Sequence, residues 1–158
     1  MARNTIKIKN YSNVFEEYVA AAAIIPGMLI ELIAAGTVQA HSSAGGPVLP
    51  MFALEDELQG NGVDTAYAAD APVQCWIPGR GDQAYALLDD AEKVVIGDKL
   101  ESGGNGFLQK WVADVADSQE SDNIQQSQIV AIALEAVDLE SSSDTWPTAG
   151  RRILVRIV

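Results

Sequence analysis

The sequence predicts a mainly β protein, a small antiparallel sandwich or barrel with at most one or two short helices. Apolar and β-branched stretches are short, roughly five to seven residues each, as strands are in compact domains. Turn signals built on Gly, Pro, Asn and Asp recur about every eight to twelve residues. The helical patterns that a βαβ layout would place between parallel strands are missing.

Taken in order, Thr5-Ile6-Lys7-Ile8-Lys9 alternates apolar or β-branched residues with polar ones, outside the apolar-rich part of the chain. It is expected to be an arm that pairs with a partner, which divides the chain into an N-terminal arm at 1–13 and one β-rich domain at 14–158. Residues 14–23, Val-Phe-Glu-Glu-Tyr-Val-Ala-Ala-Ala-Ala, carry the alanines and paired glutamates of a short helix, with strand and arm as the alternatives. Pro26-Gly27 turns, residues 28–33 read as a strand, Gly36 turns again and residues 37–41 return, making a hairpin. Ser42 to Pro47 is a small-residue loop, and Glu55-Asp56-Glu57 is a solvated acidic cluster after the apolar residues 48–54.

Residues 63–69 are expected to be extended. Residues 73–77 should then alternate Val73, Cys75 and Ile77 inward against Gln74 and Trp76 outward. Further strands follow at 83–88 and 94–96, and Gly97-Asp98 turns into another at Lys99-Leu100. Gly103-Gly104-Asn105-Gly106 separates that strand from residues 107–112, and the two close turns mark a β meander. Residues 114–127 are polar and acidic and read as an exposed loop. Residues 129–137 are apolar and favour a buried strand. At the C-terminal end, Ile153, Val155 and Ile157 alternate against Arg152, Leu154 and Arg156.

The chain has 158 residues, 48% hydrophobic and 20% charged, enough for one domain with a core of its own. The apolar run at 20–33 is interrupted by Pro26-Gly27 and carries Glu31, so no membrane span is expected. Basic residues followed by a polar strand pattern stand where a signal peptide would place an apolar block, so synthesis in a cytoplasm is expected. Charge is unevenly placed. All 22 acidic residues and four of the ten Lys and Arg residues lie between Glu16 and Asp144, a net −18. The ends contribute +6 through Arg3, Lys7, Lys9, Arg151, Arg152 and Arg156, for −12 in all. An acidic body repels phosphate, which argues against nucleic acid as a partner. The basic ends suit an acidic protein surface or the protein's own body.

Little in the sequence suggests catalysis. One histidine, His41, and one cysteine, Cys75, cannot build a structural zinc site. His41 lies beside Ser42 and Ser43 without an elbow motif and reads as a loop histidine. The glycine clusters lack the downstream helix and lysine of a phosphate-binding loop. No catalytic, cofactor or metal residue is expected. Trp76, Trp111 and Trp146 could serve as a sugar-stacking platform, but core or interface packing is the commoner role for dispersed tryptophans. Trp146, together with Arg151 and Arg152, is assigned to a subunit contact.

Several segments form one ordered pattern. They are Ile25-Pro26-Gly27-Met28-Leu29-Ile30-Glu31-Leu32, Gly36-Thr37-Val38, Phe52-Ala53-Leu54, Gly97-Asp98-Lys99-Leu100 with Asn105-Gly106, and residues 129–137. This order resembles the capsid cement, or head decoration, proteins of tailed bacteriophages, which adopt a lambda-like β-tulip or small barrel. The resemblance implies a β-tulip-like fold and a homotrimer on the outer surface of the virion head. Its partner would be the major capsid protein, clamped in place, with Thr5, Ile6, Lys7, Ile8 and Lys9 adding a strand to the shell. A longer N-terminal region and the acidic segment 114–127 depart from that pattern. The alternatives are another β-rich virion protein, such as a tail-tube or baseplate subunit, and a carbohydrate-binding module.

Overall fold

The computed structural model describes residues 3–112, 128–140 and 152–158. The described strands are β1 Lys7–Lys9, β2 Val14–Ala20, β3 Ile30–Ala34, β4 Thr37–Ala40, β5 Phe52–Ala53, β6 Pro72–Ile77 and β7 Gln83–Leu87. They continue with β8 Lys93–Val94, β9 Lys99–Ser102, β10 Leu108–Lys110, β11 Ala131–Ala133, β12 Val137–Asp138 and β13 Arg152–Ile157. A single turn of 3-10 helix, Glu57–Gln59, is the only helical element among the described residues. The protein is therefore mainly β, as expected. Its sheets remain open rather than closing into a barrel.

Six strands form one antiparallel sheet in the order β1-β7-β13-β11-β9-β10. Five form the other, β3-β4-β2-β6-β5, in which only the β2–β4 pairing is parallel. Strands β8 and β12 make a short ribbon. In the six-stranded sheet, Ile153 lies across from Ala86, and Val155 from Ala84 on one side and Ala133 on the other. Small side chains thus flank the branched ones of β13, and Phe52 and Trp76 of the second sheet join the same core. A second core on the other face of the five-stranded sheet gathers Ala20, Ile30, Val38, Ala53, Val73 and Cys75.

Burial on both faces corrects the reading of β6. Val73 and Cys75 are buried as expected, but Trp76 is also wholly buried, and its indole N–H donates to Ser12 O at 3.2 Å. Alternation identifies the outward face only where that face meets solvent, and here it meets the other sheet. Residues 14–20 form β2, not a helix. Six registered pairs with β6, from Val14–Ile77 to Val19–Pro72, override the propensity of the glutamates and alanines. The apolar run at 129–137 is split into β11 and β12, and residues 63–69 contribute an isolated bridge, Ile24–Tyr67, in place of a strand.

The N-terminal residues are not a detached arm, and packing sets no boundary at residue 13. Ile6 is wholly buried in the larger core. Its N–H donates to the buried Glu55 carboxylate at 3.0 Å, and its carbonyl accepts from Tyr85 N–H at 2.8 Å. Arg3 pairs with Glu135 at 3.2 Å, and its guanidinium lies 5.2 Å from the Tyr85 ring centre. The buried Asp82 carboxylate accepts from the backbone N–H groups of Tyr11 and Ser12 and, at 2.8 Å, from that of Gly79. Three separate ties thus hold residues 3–12 to the body. A five-residue alternation shows that one face is apolar, and only the fold shows that its own core receives that face.

Candidate interaction surface

The residues assigned to contacts by sequence end up in three different settings. Thr5 to Lys9 lies at the edge of the six-stranded sheet, paired with β7 on one side only. Trp146 and Arg151 lie outside the described residues, as does the acidic segment 114–127. Arg152 is an internal tie, with its side chain 1% exposed. Its guanidinium donates to Pro26 O at 2.6 Å and to Val63 O, and pairs with Asp64 at 3.3 Å. Gly27, at φ +90°, makes room for it, since a Cβ there would stand 2.6 Å from Arg152 Nη1. A side chain so enclosed has no face left for a neighbouring subunit, which corrects its assignment to an interface.

His41 is likewise not on a loop surface. It is buried just after β4, with Nδ1 2.7 Å from Ser102 Oγ and Nε2 3.4 Å from Pro47 O and 3.7 Å from Glu31. Ser102 is wholly buried and its Oγ also accepts from Gly104 N–H, so this serine has no open approach for a substrate. The cluster instead ties β3, β4 and β9 together. Burial pushes the Cys75 thiol up to about 12, keeping it protonated and inert. Trp76 is interior and cannot belong to a sugar-stacking platform. No group of three or more metal-binding side chains occurs among the described residues.

A property missed in the sequence becomes plain on the fold: charge is divided by sheet. Between Lys9 and Arg80 there is no Lys or Arg, against eight Asp and Glu, and this stretch supplies every strand of the five-stranded sheet. The six-stranded sheet and the ribbon hold the paired cations, Lys93 with Asp138 at 2.7 Å and Lys110 with Asp98 at 2.8 Å. Among the described residues, no Lys or Arg pairs with Glu16, Glu17, Glu31, Asp56, Glu57 or Asp70. The same sheet leaves Val14, Phe15, Val19, Leu32 and Ile33 between 43% and 50% exposed, and Leu49 beside it 64% exposed. Consecutive strand residues face opposite sides, so Val14 and Phe15, like Leu32 and Ile33, divide these apolar side chains between the two faces of the sheet. The gap in Lys and Arg was visible in the sequence; that it maps onto one sheet was not.

Glu31 belongs to this sheet. Burial works against its charge, but hydrogen bonds from Gln39 Nε2 at 2.8 Å and from the Ser42 O–H and N–H outweigh it and hold the carboxyl below its ordinary value. It remains a fixed negative charge at the edge of the sheet.

No protein-family model matches the chain, and comparison with curated proteins gives no relative. Among solved structures the fold is similar to that of the N base of the head fiber protein gp8.5 of bacteriophage phi29. The TM-score is 0.52 at 11% identity, and the match covers 92% of this chain and 93% of that one. The likeness is one of fold, and it runs through nearly the whole of both chains.

Proposed function

We propose that this chain is a structural protein of a tailed-phage head, binding the outside of the shell and stabilising contacts between major capsid subunits without a catalytic step. The observation that carries this reading is the near end-to-end likeness to a head fiber base. The acidic, apolar-dotted sheet supports it, being a surface suited to another protein. A net charge of −12 serves a subunit that must stay soluble before joining an assembled shell. In this reading the partners are the major capsid protein and two further copies of the chain. The protein is made in the bacterial cytoplasm and ends on the virion surface.

The test is co-sedimentation of the purified chain with expanded heads that lack it, with the mass of the free protein measured alongside. Saturable binding of a trimer at a fixed ratio to capsid subunits is the expected result. Absence of binding, with free rings or hexamers, would overturn it in favour of a tail subunit. The fold match favours one second reading, the base of a projection anchored on the head, and this predicts binding at few sites per head instead of a stoichiometric coat.

A further inference from the structure

Strand β3 is an outer strand of the five-stranded sheet, and residues 47–51 meet it at one end only. Ile30 N–H donates to Met51 O at 2.9 Å, and Leu29 bridges Phe52. Both segments line a groove of about 250 Å3 whose walls include Ile30, Glu31, Leu32, Pro47, Leu49 and Met51. In an antiparallel pair, successive residues alternately face the partner strand and face away. Leu29 O accepts from His41 N–H at 3.0 Å, so Leu29 and Glu31 turn toward β4 while Ile30 and Leu32 turn to the open side. Among the described residues, nothing pairs with Leu32 on that side. The register shift between Leu32 and Ala34 ends the open stretch, leaving room for a short segment only.

We propose that this groove receives a short extended segment of a partner protein, with an apolar side chain seated between Leu32 and Leu49 and flanking Lys or Arg residues against the acidic sheet. Three features select that occupant. The open backbone groups of Leu32 suit strand addition. The groove is lined mainly by apolar side chains, two of which are at least half exposed, Leu32 at 50% and Leu49 at 64%. Glu31 lies on its wall, in a sheet without any Lys or Arg, so a basic segment gains where a second copy of the same acidic sheet would meet like charge. The inference goes beyond the head reading and does not depend on it. Heads that fail to bind the protein would overturn the proposed function and leave the groove to its own test.

That test is NMR titration of the isotope-labelled full chain with the peptide Lys-Val-Lys-Leu-Lys-Val-Lys and with its Glu-for-Lys counterpart, at low and high salt. The basic peptide is expected to shift amides at 30–34 and 47–51, with high salt weakening it and the acidic peptide giving no shift. Leu49→Ser, at an exposed position, removes the apolar wall without adding charge and should weaken the basic peptide about tenfold, or roughly 1.4 kcal/mol. Leu32→Ser should act in the same direction. Shifts elsewhere, an equal response to both peptides, or no response would overturn the proposal. Concentration-dependent shifts of the same amides in the free protein would overturn the occupant in favour of a second copy.

Discussion

The two large sheets share one core but treat their charges and outer surfaces differently. The six-stranded sheet and its borders pair several cations: Lys110 with Asp98, Arg3 with Glu135, and Arg152, drawn inside, with Asp64. The five-stranded sheet has no Lys or Arg of its own, leaves most of its acids without a cation and keeps five large apolar side chains partly exposed. The cations paired in or beside the six-stranded sheet contribute to stability, whereas the acids left open on the five-stranded sheet retain free energy for association. The contrast separates what holds this protein together from what it offers to others.

The sharpest way to break the comparison is at the seam. Trp76→Ala should cost about 3–5 kcal/mol in urea unfolding, because the indole lies wholly buried between the sheets. Arg152→Ala comes next, at about 2–4 kcal/mol, since the Pro26 and Val63 carbonyls would lose their donor inside the protein. If that variant kept its stability but lost self-association, Arg152 would be an interface residue after all. Ile6→Ala should cost about 2–4 kcal/mol by thermal or urea unfolding, whereas a dispensable arm would tolerate it.

Smaller effects sharpen the picture. Hydrogen bonds from Lys110 and from Val95 N–H hold the Asp98 carboxyl below its ordinary value. With the folded value depressed, its contribution is complete above about pH 4, where the unfolded carboxyl is ionised, and is lost as pH falls through the folded value. Asp98→Asn should remove about 1 kcal/mol at neutral pH and flatten that acid limb, as read from unfolding midpoints across pH. A change in stability of about 1 kcal/mol is expected of Phe15→Ser and Val19→Ser on the five-stranded sheet, whose side chains are a little more than half buried. Both should nonetheless reduce head binding in the sedimentation assay. A loss of stability without a loss of binding would assign that sheet to folding instead.

Much of the strand layout was legible because it depends on neighbours in sequence. Gly36, at φ +77°, closes the β3–β4 hairpin where the turn was read, and the inward residues Ile153, Val155 and Ile157 of β13 are all buried. The contact site was less legible. Arg152 and Thr5 to Lys9 were chosen because basic or alternating residues near chain ends resemble contact elements, yet sequence carries no record of whether a partner or the protein's own core receives them. The choice among helix, strand and arm at residues 14–23 was not legible for the same reason, since β6, which pairs with β2, lies more than fifty residues away.

Alternation, turn chemistry and net charge act over a few residues or over the whole composition, so residue order sufficed for the β class, the β9–β10 hairpin and the acidic character of the chain, but not for a meander, since β8 pairs with β12 instead of β9. Which faces of β6 are covered, where the Arg152 guanidinium finds its acceptors and how a charge gap becomes one acidic sheet depend on contacts between distant segments. Those contacts exist only after packing has chosen among many arrangements compatible with the same local pattern.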